Sequence, residues 1–327
     1  MTSSPTTPSF ENLWAGRSSN TSGCGGCLPQ TIIAERTIIH SVADTPPKRF
    51  ILFHHPKVAE SLALAQEIVT HLESQGLSAE YCSIDDEAAR ARAGAADMLI
   101  ALGGDGTMLR TGRVGAFNNR PVFGINLGRL GFIVEVQPDS WREAIERVMC
   151  GDYRTEERMM LHALHCQDGS TLRSYEALNE VVVSRGVVVR PIRLQTTVDG
   201  APLTTYVADG LIIATPTGST AYALAAGGPV LPPESKNFLL VPISPHLSLD
   251  RPIVLPPDAT VEVFVRTEHE AVFSIDGQTS RPLQDRDSLR VHISRHVAQF
   301  VRLTPHTHFY KNLADRMAQN PTANKAK

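Results

Sequence analysis

The residues Gly103-Gly104-Asp105-Gly106-Thr107 set one carboxylate among three glycines, directly after the apolar run Met98-Leu99-Ile100-Ala101-Leu102. Glycine lets a backbone turn sharply and approach a ligand closely. A helix starting here would offer N–H groups to a phosphate. The spacing is not G-x-x-x-x-G-K-[ST], because no Lys follows, and it is not the G-x-G-x-x-G of a dinucleotide fold. Asp105 is therefore the distinctive element. Asp and Gly are also ordinary turn residues, and Asp caps helices, so the pentapeptide alone fits a structural turn equally well.

A second cluster follows the apolar run Leu211-Ile212-Ile213-Ala214, where Thr215-Pro216-Thr217-Gly218-Ser219-Thr220 leads into small residues ending at Gly227-Gly228-Pro229. Capping a helix takes one hydroxyl, and here four fall within six positions. Hydroxyls and N–H groups at a helix start suit phosphate or ribose hydroxyls. Thr220, Ala221 and Tyr222 add small contacts and one aromatic wall. A third element is Asn179-Glu180, ahead of Val181-Val182-Val183. An amide beside a carboxylate can read an adenine edge or a pair of ribose hydroxyls, and a solvent-facing pair is the ordinary alternative. Asp276-Gly277, within Ser274–Gln278, reads most economically as a hairpin turn.

These groups need a scaffold, and the patterning supplies one. Arg49–His54 reads as a strand. Residues 57–75 carry Val58, Leu62, Ala65, Val69 and Leu72 at helical spacing, with Gly76 as a stop. Asp97–Leu102 and Pro121–Leu127 read as strands buried on both faces. Helices are expected over Gly106–Ala116 and Pro138–Cys150. This alternation predicts an α/β part with an open parallel sheet. After Gly151 strand-like runs dominate: Leu161–His165, Glu180–Ser184, Arg193–Val198, Gly210–Ala214, Leu239–Ile243, Thr260–Val265, Ala271–Ile275, Leu289–Ile293 and Gln299–Leu303. Only Ser219–Ala226 interrupts as helix, and His308–Met317 reads as a short closing helix. The expected organisation is an extension over residues 1–45, an α/β domain over 46–150, a mainly β domain over 151–305, and a tail over 306–327 returning to the first domain.

Composition sets bounds on function. The chain has 327 residues, 42% hydrophobic and 20% charged, with a formal net charge of −3. Nothing there draws it to nucleic acid or an anionic membrane, and no apolar run is long enough to span a bilayer. The Ser/Thr/Pro/Gly-rich start lacks the apolar core of a secretory signal and reads as a disordered extension. Five scattered cysteines argue for a reducing, cytoplasmic setting rather than a disulfide framework. Cys24-Gly-Gly-Cys27 has no second pair to complete a metal site and no strand–helix context for redox work, so it reads as two incidental thiols.

Taken together, the segments resemble the NAD kinase family. The motifs are GGDGT at 103–107, NLGRLGF at 126–132, NE at 179–180, DGLIIATPTGSTAY at 209–222, GGP at 227–229, PISPH at 242–246 and DGQ at 276–278. They fall in the family's order, over roughly residues 49–310. GGDG alone is shared with diacylglycerol kinases, sphingosine kinases and 6-phosphofructokinases; TPTGSTAY is far more specific. The resemblance implies the NAD kinase/diacylglycerol kinase-like fold. It also implies transfer of phosphate from ATP, another nucleoside triphosphate or polyphosphate to the 2′-hydroxyl of the adenosine ribose of NAD, giving NADP.

Asp105 then matches the family's proton acceptor, a role a positioned carboxylate can fill for a poorly nucleophilic hydroxyl. Gly103, Gly104, Gly106 and Thr107 match the phosphate-binding loop, and Gly106 also lines the NAD site. Asn179 and Glu180 match the pair holding the adenosine part, and Asp209 an acid near the nicotinamide end. Thr220, Ala221 and Tyr222, with Ala223, Leu224 and Ala225, match the adenine-side wall. Gln278, Arg110 and Arg190 match further contacts. Mg²⁺ is implied as a companion of ATP, held by no fixed protein side chains, and the assembly is implied to be a homo-oligomer, a dimer or tetramer. Two departures bear on NAD against NADH: Val207 stands where some members carry Arg or another polar residue, and Ala225 replaces a common Ser. Two other readings compete. A lipid kinase of the same superfamily would need an apolar cleft, against the Thr-rich 215–220 segment. A non-catalytic dinucleotide-binding regulator would be free to lose Asp105.

Overall fold

The computed structural model describes residues 46–128, 131–246 and 249–318. The extension expected over residues 1–45, with its Cys24/Cys27 pair, and the tail beyond residue 318 lie outside the described residues. The three cysteines within them, Cys82, Cys150 and Cys166, are unpaired.

The first half alternates strand and helix: β1 (Arg49–His54), α1 (Ala59–Ser74), β2 (Ser78–Ser83), α2 (Glu87–Arg92), β3 (Met98–Leu102), α3 (Asp105–Asn118), β4 (Val122–Ile125) and α4 (Trp141–Met149). Its strands are parallel, in the order β2-β1-β3-β4. Leu64, Ile68, Leu72, Trp141 and Val148 pack against one face of this sheet, and Ala89, Met108 and Leu109 against the other. Two-sided cover is why β3 and β4 are buried at every residue and read as unbroken apolar runs. The buried stripe of α1 is Ser61, Leu64, Ala65, Ile68, Val69 and Leu72. Leu62, expected on that stripe, is exposed, because it lies one residue, or about 100°, off the Ser61–Ala65–Leu72 line. Gly76 does end the helix, at φ +77°.

The second half consists of β5 (Arg154–Gln167), β6 (Ser170–Ala177), β7 (Glu180–Arg185), β8 (Ile192–Val198), β9 (Ala201–Ala208), β10 (Gly210–Ala214), α5 (Tyr222–Ala225), β11 (Phe238–Ile243), β12 (Ile253–Leu255), β13 (Val261–Arg266), β14 (Ala271–Ile275), β15 (Thr279–Leu283), β16 (Ser288–Arg302) and the closing α6 (His308–Ala318). A six-stranded antiparallel sheet, β12-β11-β10-β7-β14-β15, packs over the strands of the larger sheet. Phe238, Phe273, Tyr206, Leu211 and Val263 lie in the core between them.

Residue 150 lies in the turn between α4 and β5, yet the hydrogen-bonded sheet does not stop there. β16 runs parallel to β4, with Phe300 opposite Val122, and antiparallel to β5 and β13. One ten-stranded sheet therefore passes through both halves. The two runs expected at Leu289–Ile293 and Gln299–Leu303 are one strand whose register with β5 shifts between Ile293 and Val297. Such a bulge bends a strand without ending it, so the sequence pattern breaks where the strand does not. The helix expected over Ser219–Ala226 is a 3₁₀ turn (Gly218–Thr220) and the single turn α5, separated at Ala221 (φ −103°, ψ −123°).

Candidate active site

Asp105 is the first residue of α3, directly past the end of β3. Its Oδ2 accepts a hydrogen bond from the Phe132 N–H at 2.8 Å and its Oδ1 one from the Ile133 N–H at 3.3 Å. Both oxygens are thus held by the loop after β4, which fixes the carboxylate's orientation. A Cβ at Gly131 would collide with that carboxylate, so the glycine is what lets this loop close on it. Gly104 and Gly106 have open space where side chains would stand.

Beside this turn lies a cleft of about 700 Å³. Gly103, Gly104, Gly106 and Thr107 form one wall; Arg90, Arg110, Arg113 and Gln278 line it as well. Three guanidinium groups suit a polyanion. Each has an acidic partner: Arg90 pairs with Glu87 at 3.4 Å, Arg110 pairs with Asp85, and Arg113 donates to Asp276 at 3.2 Å and to the Gln278 Oε1 at 2.5 Å.

Asp276 connects the cleft to the second half. It occupies the β14–β15 hairpin turn at φ +51°, followed by Gly277 at φ +64°. The turn expected from the sequence is there, but the side chain does more. Its carboxylate is buried and accepts from the backbone N–H groups of Leu178 (3.0 Å), Asn179 (2.7 Å) and Glu180 (3.2 Å). Burial raises its pKa, against the opposing effects of Arg113 and these three donors. Sequence reasoning names Asp276 only as a turn residue and does not name Arg113. The Asp-Gly turn was visible; a carboxylate reaching strand ends 96 to 98 residues away was not.

Asn179 and Glu180 are buried at the start of β7. Asn179 Oδ1 and Glu180 Oε2 have no hydrogen-bond partner. Burial, and then the neighbouring Asp276 charge, push Glu180 from 4.5 up to about 8. The folded protein therefore keeps a proton that the unfolded chain releases between those values, and this stabilisation is lost as pH rises from about 4.5 through 8. The isosteric Glu180→Gln has no such loss. Denaturant unfolding at pH 5 and pH 8 is expected to shift the stability difference in the variant's favour by roughly 2–4 kcal/mol at the higher pH. A difference independent of pH would contradict burial as the cause.

The 215–220 segment packs directly on this pair. Thr215 N–H donates to the Asn179 carbonyl at 2.8 Å, and a Cβ at Gly218 would collide with that same carbonyl. The four hydroxyls read as ligand-facing are engaged internally. Thr215 Oγ1 donates to the Leu178 carbonyl, Ser219 Oγ to that of Pro216, and Thr220 Oγ1 to that of Thr217, while Thr217 Oγ1 accepts from Arg158. Their density reflects a tight buried loop that must satisfy its own polar groups.

The structure thus joins Gly103, Gly104, Gly106, Thr107, Arg110 and Gln278 around one cleft, with Asn179 and Glu180 tied to it through Asp276. After Thr220 and Ala221, which are half-buried, Tyr222 and Ala225 are exposed, Ala223 is buried and Leu224 half-buried. Asp209 pairs with Arg185 at 2.8 Å, and Arg190 is exposed between β7 and β8; neither lines the cleft.

An α/β half whose glycine turn opens on a basic cleft is continuous through one sheet with a β-sandwich half, an arrangement suited to a phosphate-bearing ligand. Residues 36–153 match the ATP-NAD kinase N-terminal domain and residues 178–303 the ATP-NAD kinase C-terminal domain. The chain belongs to the NAD kinase family. It is 46% identical over 224 residues to an NAD kinase of Heliobacterium modesticaldum, covering 68% of this chain and 79% of that one. It is 38% identical over 274 residues to one of Chloroflexus aggregans, covering 84% and 99%. Among solved structures, an NAD kinase from Archaeoglobus fulgidus in complex with ATP superposes with a TM-score of 0.64 at 25% identity, covering 81% of this chain and 97% of that chain. A yeast NADH kinase complexed with NADH shares the fold, with a TM-score of 0.72 at 24% identity over 84% and 89% of the two chains.

Proposed function

We propose that the protein phosphorylates the 2′-hydroxyl of the adenosine ribose of NAD, yielding NADP, with ATP, another nucleoside triphosphate or polyphosphate as donor. The observation that carries this reading is the pair of buried, unpartnered polar atoms, Asn179 Oδ1 and Glu180 Oε2. An unsatisfied buried polar group costs about 1–3 kcal/mol, so a ligand that completes both gains that energy on binding. The vicinal diol of a ribose offers two O–H donors.

In the reaction the 2′-oxygen forms a bond to the terminal phosphorus, the bridging P–O bond to the donor breaks, and the hydroxyl proton passes to Asp105. The nucleotide or shortened polyphosphate leaves with the bridging oxygen. Gly103, Gly104, Gly106 and Thr107 supply backbone and hydroxyl contacts for phosphate, and Arg110 offsets its charge. Thr220, Ala221, Tyr222, Ala223, Leu224 and Ala225 form the adenine-side wall, Asp209 and Arg190 reach the outer parts of NAD, and Gln278 completes the contacts. Mg²⁺ bound to the donor would screen phosphate charge. We place the protein in the cytoplasm as a homo-oligomer. No described helix is long and apolar enough to cross a membrane.

The test is a coupled assay for NADP, comparing ATP, other triphosphates and polyphosphate as donors, with diacylglycerol as a competing acceptor. NADP formation with at least one donor is expected. Phosphorylation of the lipid alone would overturn the assignment.

A further inference from the structure

Away from the residues that line the cleft, β5 and β16 carry an ion cluster that the reaction as described does not use; it shares a separate small pocket with Phe132 and Ile133. Glu156 and Arg158 lie two residues apart on β5, hence on one face, and Arg302 lies on the neighbouring β16. All three are buried, with 4–5% of their surface exposed. Glu156 Oε1 accepts from Arg158 at 2.6 and 2.8 Å and from Arg302 at 2.9 and 3.0 Å. Arg154 approaches the other carboxylate oxygen at 3.2 Å. Burial alone would raise the Glu156 pKa, but Arg302 and Arg158 outweigh it and hold this carboxyl well below the usual range. The cluster stays charged.

What matters is where the two arginines point with their remaining donors. Arg302 Nη1 donates to the Ile133 carbonyl. The N–H of the same residue is one of the two donors on Asp105. Arg158 Nη1 donates to Thr217 Oγ1 at 3.0 Å, inside the loop that packs on Asn179. Glu156 is the shared acceptor between these arms. A further acid supports one of them: Glu135 accepts from the Leu303 N–H at 2.6 Å and the Thr304 hydroxyl at 2.7 Å, tying the 131–135 loop to the end of β16.

We infer that Glu156, through Arg302 and Arg158, is a positioning residue that sets the loop orienting Asp105 and the loop packed on Asn179 in one fixed register. The inference rests on the proposed kinase reading, in which Asp105 and Asn179 act on the same ribose. A guanidinium is needed at Arg302 because it must reach Glu156 and a backbone carbonyl at once; an ammonium matches the charge without the fork. A buried charge cluster left half-paired destabilises strongly, so Glu156→Gln risks misfolding. The milder variants carry the test.

Arg302→Lys is expected to lower kcat about ten- to a hundredfold through misplacement of the base, with KM for NAD within about twofold. Hydrogen exchange in the segment containing the Phe132 and Ile133 amides is expected to accelerate, while exchange in α1 and β1 is unchanged. Thr217→Val, which removes only the outer arm, is expected to raise KM for NAD several-fold with little effect on kcat, and Thr217→Ser to restore it. Wild-type kcat in Arg302→Lys, or exchange that accelerates uniformly across the chain, would overturn the inference by leaving the cluster a merely structural role. Failure of the wild type to form NADP would instead remove the kinase reading, and the exchange measurement separates the two.

Discussion

Asp105→Asn is expected to reduce turnover by about two to four orders of magnitude while NAD still binds within a few-fold of the wild type. Transfer of the 2′-hydroxyl proton to a positioned base contributes about 10²–10⁴ in rate, and an amide cannot accept that proton. The substitution keeps shape and volume, so contacts around Asn179 and Glu180 persist. It has a local structural effect as well. The carboxylate receives N–H groups on both oxygens, from Phe132 and Ile133. In asparagine one oxygen becomes NH₂, which opposes one of those donors and forfeits that hydrogen bond, at about 1 kcal/mol. Steady-state kinetics with calorimetric NAD titration separates the chemical loss from binding. An Asp105→Asn enzyme with wild-type kcat would eliminate the proton-acceptor role and leave Asp105 a loop anchor only.

The second large effect is expected at Asp276. Removing its side chain as Asp276→Ala strips the acceptor from three buried N–H groups and from Arg113, and puts a non-glycine residue without side-chain polarity at φ +51°. Breaking one partner out of a buried charge pair costs about 3–5 kcal/mol. For a chain of this size that corresponds to a fall in Tm on the order of 10 °C. Asp276→Asn tolerates the left-handed turn and isolates the charge. Because the Asp276 charge is one of the two causes raising Glu180, Asp276→Asn is expected to move the Glu180 titration down. The pH-dependent loss of stability would then still begin near pH 4.5 but end at lower pH and be smaller than in the wild type. Unfolding curves across pH 4–9 test both statements. An unchanged pH dependence would mean that burial alone accounts for Glu180.

Much of this arrangement was legible in the sequence, for identifiable reasons. The GGDGT turn stood out because an acid between glycines has little to do in a buried strand end. Central strands such as β3, β4 and β10 were legible because cover on both faces forces unbroken apolar runs. The strands that went unread, β2, β6, β9, β12 and β15, all lie at sheet edges. An edge strand has one partner and often one wet face; β6, Ser-Thr-Leu-Arg-Ser-Tyr-Glu-Ala, is exposed over its first five residues and shows no alternation. The hydroxyls of 215–220 are legible as a cluster, but not their internal hydrogen bonds, because composition cannot show which partners a loop finds in its own backbone. The long-range role of Asp276, Arg113 and the Glu156 cluster are not legible for a different reason. Their partners lie far along the chain, and an isolated Asp-Gly or an Arg on a strand has a common, local explanation.

The passage of one sheet through both halves bears on how the molecule must be made. β4 offers its outer edge to a strand that ends at residue 302, so that edge stays open through the synthesis of nearly 180 further residues. The α/β half, although it matches a family domain of its own, leaves the ribosome with an unpaired parallel edge and with Arg302 not yet available to the loop that orients its acid. Long-range closures of this kind are slow to form and prone to pairing with the wrong chain in the interval. On the proposed mechanism, competence for catalysis and completion of the sheet coincide: the proposed base is expected to reach its working position only when the last strand has docked, and a chain that stops short is expected to be both inactive and adhesive.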